Sequence, residues 1–153
     1  MSQEFSRQAF DRLSQVDDDA PPSKSQLKRE MHALQAIGEH IISMSPSERA
    51  RFPLSDTLLA AVEETSRIRS HEGRRRHMQY IGKLMRREDL DAIRAVFDEI
   101  EQEELKRNHT FHRLERWRDR LIEEGDAAVE PFIEAFPAVD RQTLRQLIRN
   151  AQR

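Results

Sequence analysis

Apolar residues recur at three- and four-residue steps along nearly the whole chain, the period of one helical face, and the pattern predicts an all-α protein. Phe5, Ala9, Leu13 and Val16 fit one face of a short N-terminal helix, but the DDDAPP stretch ending at Pro22 reads as a linker. The expected organisation is therefore a mobile arm over residues 1–22 and a helical domain over 23–153. The first long helix is expected to start near Ser23 or Ser25, to carry Leu27, Met31, Leu34, Ile37 and Ile41 on one stripe, and to end near Met44. Ser45 to Glu48 has the form of a capping box with Pro46 at the first helical position, opening a short turn before Pro53. Another helix begins at Ser55 or Asp56 and runs through Leu58, Leu59, Val62 and Ile68. Gly73 is expected to break or bend it, since glycine readily leaves helical geometry. Helix resumes near Arg74, with Met78, Ile81, Leu84 and Met85 inward and Arg75, Arg76, Lys83, Arg86 and Arg87 on the other flanks.

The longest pattern runs from Asp89 to Glu124. Leu90, Ile93, Phe97 and Ile100 are followed by a polar stretch, then by Phe111, Leu114, Trp117 or Arg118, and Leu121. One helix with a solvated middle fits, roughly 50 Å long at about 1.5 Å per residue, long enough for its ends to serve two packing centres. Gly125 stops it, Asp126 is expected to cap a short helix, and Asp140 caps the last one. The fold predicted is an elongated helical bundle with one long helix, about 89–124, joining packing centres at its two ends. A composition of 37% hydrophobic and 35% charged residues over 153 positions agrees with an extended molecule rich in solvated surface.

Charge changes the picture more than composition does. The formal net charge is only −2, yet the span from Arg67 to Arg87 holds eight basic residues and one acid, Lys106 to Arg120 six and two, and Arg141 to Arg153 four and none. The acids gather instead in Glu88 to Glu104 and Glu123 to Asp140. A segregated basic surface releases counterions when it meets a polyanion, which the same residues scattered among acids would not do. Of the 18 basic residues in those three spans 16 are arginine, whose planar fork matches phosphate oxygens and stacks on exposed bases. In the last span Arg141, Arg145, Arg149 and Arg153 follow at i+4 and form one ridge beside Leu144, Leu147 and Ile148. The competing reading, arginines held in ion pairs with nearby acids, is strongest at Lys106 and Arg107, just after Glu103 and Glu104. It is weakest at Arg74 to Arg76, where Glu72 is the sole acid of the segment.

Catalytic chemistry finds little support. The absence of cysteine removes disulfides, thiolate nucleophiles and cysteine-ligated zinc. His71-Glu72 begins like the zinc motif H-E-x-x-H, but Arg75 stands where the second histidine would be. His109, His112 and Glu115 share a helix face, with Lys106, Arg113 and Arg116 close enough to repel a cation. Neither a phosphate-binding glycine loop nor a nucleophile elbow occurs, so neither an enzyme nor a cofactor nor a small-molecule substrate is expected, and a nuclease ranks below every binding role. Trp117 reads as a packing residue, while Tyr80, amid the basic segment, fits either the core edge or a nucleobase. With no apolar run of signal-peptide or membrane-spanning length, a soluble cytoplasmic protein is expected.

Four blocks, SKSQLKRE (Ser23 to Glu30), EGRRRHMQYIGKLMR (Glu72 to Arg86), FHRLERWRDRLIEEGD (Phe111 to Asp126) and DRQTLRQLIRNA (Asp140 to Ala151), resemble in order the signature segments of the DarP (YjgA-like) family. These are bacterial factors associated with late assembly of the large ribosomal subunit. The resemblance implies an all-helical, non-enzymatic assembly factor that binds large-subunit rRNA in late pre-50S particles and helps the functional centre mature. Carried over by position, it implies RNA contacts at Lys24, Lys28 and Arg29, at Arg74, Arg75, Arg76, Lys83 and Arg86, at Arg113, Arg118 and Arg120, and at Arg141, Arg145 and Arg149. Family members often carry a further basic tail and a more acidic N-terminal arm than this sequence has. The alternative kept beside this reading is a helical adaptor whose basic face meets an acidic protein partner.

Overall fold

The computed structural model describes residues 2–15 and 21–153, with Ser2, Gln3 and Phe5 described for the backbone alone. Among the described residues all regular structure is helical: α1 (Ser2–Ser14), α2 (Lys24–Ser43), α3 (Pro46–Arg49), α4 (Asp56–Glu64), a 3₁₀ turn (Thr65–Arg67), α5 (His71–Met85), α6 (Leu90–Glu124), α7 (Asp126–Ala135) and α8 (Arg141–Ala151). The chain divides into two compact units, Met1–Glu101 and Gln102–Arg153.

Local chemistry sets most boundaries. The Ser23 and Ser55 side chains accept from the backbone N–H three residues on, each satisfying a donor that a helix start leaves without an intrahelical partner. Ser45 and Glu48 form both halves of the capping box, with Pro46 at the start of α3. Two expectations fail on capping detail. Gly73 does not break a helix, because Ser70 caps α5 by accepting from the Gly73 N–H; the interruption lies earlier, at the extended Ile68 (ψ 114°). Asp126 does not cap α7 either, because Gly125 at φ 62° occupies the cap position, where the left-handed region disfavours a side chain.

In the first unit the core is built from Leu34, Ile37 and Ile41 of α2, Leu58 and Val62 of α4, Ile81 and Met85 of α5, and Ile93, Phe97 and Ile100 of α6. α2 and α5 run antiparallel and nearly touch. A Cβ on Gly38 would stand 2.6 Å from Ile81 Cγ2, and one on Gly82 would stand 2.8 Å from Met31 Sδ, so the crossing depends on both glycines lacking a side chain.

The arm expected over residues 1–22 contains a docked helix. Ala9 and Phe10 are buried in the core, Phe10 meets Phe97 edge-on with centroids 5.9 Å apart, and the buried Ser6 hydroxyl hydrogen-bonds His40 Nδ1. The short helix expected from Phe5, Ala9, Leu13 and Val16 is present as α1, and its apolar positions suffice to bury one face. Val16 and residues 17–20 of the proposed linker lie outside the described residues, as does the Phe5 side chain.

His40 also stacks on Phe97 at 4.8 Å, and burial holds its pKa below the ordinary histidine value, with Glu48 acting in the opposite sense. The folded chain favours the neutral imidazole, while the unfolded chain protonates it near its usual pKa, about 6.5. Its stabilising contribution is therefore present above that value and lost as pH falls below it. The melting temperature is expected to fall more steeply from about pH 7 to pH 5.5 in the parent than in His40→Gln. Equal slopes would show that His40 titrates alike in both states.

The second unit gathers Leu121 of α6, Ala128 and Val129 of α7, and Leu144 and Ile148 of α8, with Phe132 and Ile133 against them. Trp117 packs edge-on against Phe132 and Phe136 at 5.4 and 6.4 Å. Thus the first part of α6 enters one core and its last turns another, and residues 105–114 between them are all exposed. That stretch includes Phe111 and Leu114, 60% and 47% exposed, which the sequence pattern assigned to the second packing centre. α7 folds back along α6 as far as Arg113, whose guanidinium lies 5.0 Å from the Phe136 ring centroid, and Phe111 beyond it is exposed.

Candidate nucleic-acid interface

The antiparallel pairing of α2 and α5 decides which cations of the first unit share a surface. Arg86 at the end of α5 reaches Glu30 at 3.6 Å, so the N-terminal turns of α2, with Lys24, Lys28 and Arg29, lie at the C-terminal end of α5. Arg74, Arg75 and Arg76 occupy the other end, roughly 15 Å away along the helix at about 1.5 Å per residue.

Pairing consumes part of this charge. Glu72 accepts from Arg75 through Nε (3.0 Å) and Nη2 (2.7 Å), and from Arg76 Nε at 3.1 Å. The Arg75 hydrogen bond is the main cause of a Glu72 pKa below the usual carboxylate range, and Glu72 in turn raises that of Arg75. One carboxylate shared by two guanidiniums still leaves a net positive charge. Arg74, Lys83, Lys24, Lys28 and Arg29 make no ion pair with any described residue and are exposed.

In the second unit more of the proposed contacts are tied up. Arg118 donates to its neighbour Asp119 at 2.7 and 2.9 Å, which raises its pKa, and Arg120 donates to Glu124 at 3.0 Å while lying over Trp117. The expected α8 ridge is interrupted: Arg141 turns to Glu130 at 2.8 Å and Arg145 to Asp126 at 3.3 Å, both on α7. Only Arg149 and Arg153 of that row are without a partner among the described residues. Arg113 is occupied by the Phe136 ring. His112 Nδ1 lies 2.9 Å from Glu115 Oε2, so that carboxylate faces a ring nitrogen on its own helix.

Sequence reasoning left Arg87 and Tyr80 out of the contact set. Arg87 follows Lys83 by four residues and Tyr80 by seven, a spacing that puts all three on one helical stripe and was the available signal. The acids that neutralise Arg86, Arg141 and Arg145 come from other helices, and no local spacing announces them. Beside the charged faces the second unit has an apolar groove of about 240 Å³, lined in part by Leu114, Leu121, Phe132, Leu144, Leu147 and Ile148.

Residues 20–153 match the family model described as dual-action ribosomal maturation protein DarP. A protein of Vibrio vulnificus (strain YJ016) bearing that same description is 44% identical over 129 residues, an overlap covering 84% of this chain and 69% of that one.

Proposed function

Because the chain belongs to the DarP family, we propose that it is a ribosome biogenesis factor that binds large-subunit rRNA in late pre-50S particles through arginine-rich helical surfaces. It promotes maturation of the functional centre by holding RNA in a conformation, without catalysis or cofactor, in the cytoplasm. The observation that carries the RNA part of this reading is the surface of α5 and its closing turn, where five arginines and one lysine meet Glu72, shared by Arg75 and Arg76, and Glu30 of α2, which takes Arg86, so that Arg74, Lys83 and Arg87 are left without an ion pair among the described residues. Phosphate oxygens are the acceptors such a surface lacks. Among the described residues no helix is long and apolar enough to cross a membrane.

A second reading, distinct from the adaptor with a basic face for an acidic partner, is a protein partner on the apolar groove of the second unit, beside which Leu147 is 59% exposed. Salt separates the two. Six phosphate contacts would give a slope of log affinity against log salt near −4, at about −0.7 per contact on single strands. The tagged protein is expected to travel with large-subunit precursors in a density gradient and to leave them as salt rises. A flat salt response, or sedimentation only at the top of the gradient, would reject RNA as the principal partner.

A further inference from the structure

Arg76, Tyr80, Lys83 and Arg87 succeed one another along α5 and its closing turn at steps of four, three and four residues, which aligns them on one face. Tyr80 is the only tyrosine of the chain and is 46% exposed. Its helix neighbours Met78 and Leu84 pack against the core, whereas Tyr80 is absent from that cluster and its hydroxyl makes no hydrogen bond to a described residue. An aromatic ring half in water amid cations is not explained by the packing of this fold.

The ring is nevertheless braced. His77, one turn back, lies with its centroid 6.3 Å from that of Tyr80. It is fixed in turn, since its Nε2 is 2.7 Å from the Ala61 carbonyl and 3.0 Å from Thr65 Oγ1. A carbonyl can only accept, so Nε2 carries the proton and donates it. Arg76, with a side chain 75% exposed, is held only through Nε, and Lys83 and Arg87 have no ion pair with a described residue. The aromatic face is thus restrained from behind, and the cations beside it retain donors for an anion.

From this we infer that Tyr80 is a stacking platform for an unpaired base, with Arg76, Lys83 and Arg87 holding the flanking phosphates, so that α5 prefers single-stranded RNA segments to duplex. The inference rests on the RNA-binding reading above and adds the form of RNA recognised. A base paired within an A-form helix has its face covered by its neighbours, and only an unstacked one offers a surface to the ring. Cations alone would not discriminate in this direction, because a duplex carries the denser phosphate charge.

The test uses the full chain, a short unstructured RNA, and that strand annealed to its complement. Tyr80→Ala is expected to weaken single-strand binding roughly 5- to 100-fold, the usual range for loss of one stacked base, while leaving the salt slope and the duplex affinity as they were. Tyr80→Phe and Tyr80→Trp should bind like the parent, whereas Tyr80→Leu, which keeps apolar bulk without a π face, should bind like alanine. Should Tyr80→Ala lower the melting temperature, the phenylalanine and leucine pair carries the comparison. If leucine equals phenylalanine in single-strand affinity, or if alanine weakens duplex and single strand alike, the platform is rejected while phosphate binding stands. Competition by polyglutamate as effective as that by the RNA would make the stripe a face for an acidic protein and overturn the inference. A parent that binds neither RNA would fail the underlying reading first, a result distinct from all of these.

Discussion

Phe97→Ala is expected to cost about 3–5 kcal/mol of unfolding free energy, the range for deleting a buried aromatic side chain when its surroundings cannot collapse into the gap. The ring is 8% exposed and meets three others: Phe52 and His40 at 4.8 Å and Phe10 at 5.9 Å. These come from α1, α2 and the segment after α3, so no single element can shift to fill the hole. Leu114→Ala is expected to cost much less, about 1 kcal/mol, because half of that side chain already lies in water. Gln102→Ala, at an exposed position of the same helix, should stay within about 0.5 kcal/mol. Chemical denaturation of the three variants, followed by circular dichroism, checks the order. Equal losses at Phe97 and Gln102 would mean that α6 does not alternate between core and solvent as described.

The contrast between Phe97 and Leu114 also marks what the sequence could and could not carry. Both belong to the run of apolar residues at three- and four-residue steps that marks α6 as a helix, and that pattern alone treats them alike. What separates them is tertiary: α1, α2 and α4 surround the first part of the helix, while α7 and α8 are short and cover only its end. Caps behaved differently because they are local. Ser23, Ser45 and Asp140 hold N–H groups within three residues of themselves, and residue type and spacing were sufficient to find them. The docking of α1 depends on Ser6 meeting His40, 34 residues on, a pairing no window of sequence contains.

The same division runs through the candidate interface. That basic residues concentrate in three spans was legible directly, since charge is a property of the residue and not of the fold. Which of them remain free was not. The α8 ridge has four arginines and no acid in its span, yet Arg141 and Arg145 are engaged from outside it, by Glu130 and Asp126. The Arg74 to Arg76 triplet, with a lone acid beside it, keeps an uncompensated charge.

That triplet supplies the sharpest separation of folding from binding. Replacing Arg74, Arg75 and Arg76 with alanine is expected to leave the helical signal and the melting temperature nearly unchanged. The guanidiniums are exposed, alanine favours helix, and the released Glu72 stands in the first turn of α5, where a negative charge suits the helix dipole. RNA affinity at moderate salt should fall about tenfold or more, and the salt slope should shrink by about 0.7 to 0.9 for each phosphate no longer held. Arg75→Glu should bind RNA less well than Arg75→Ala, because it adds repulsion from phosphate to the removal of a donor. Glu72→Gln gives the opposite control: it frees both guanidiniums from their shared carboxylate, so RNA binding should hold or tighten. If the Glu72 cluster were instead a lock on the fold, Glu72→Gln and the triple alanine variant would both melt early, and RNA binding would fall only as far as the loss of folded protein explains. A triple variant that is destabilised yet binds precursor particles with parental affinity would make the segment structural and move the RNA surface elsewhere.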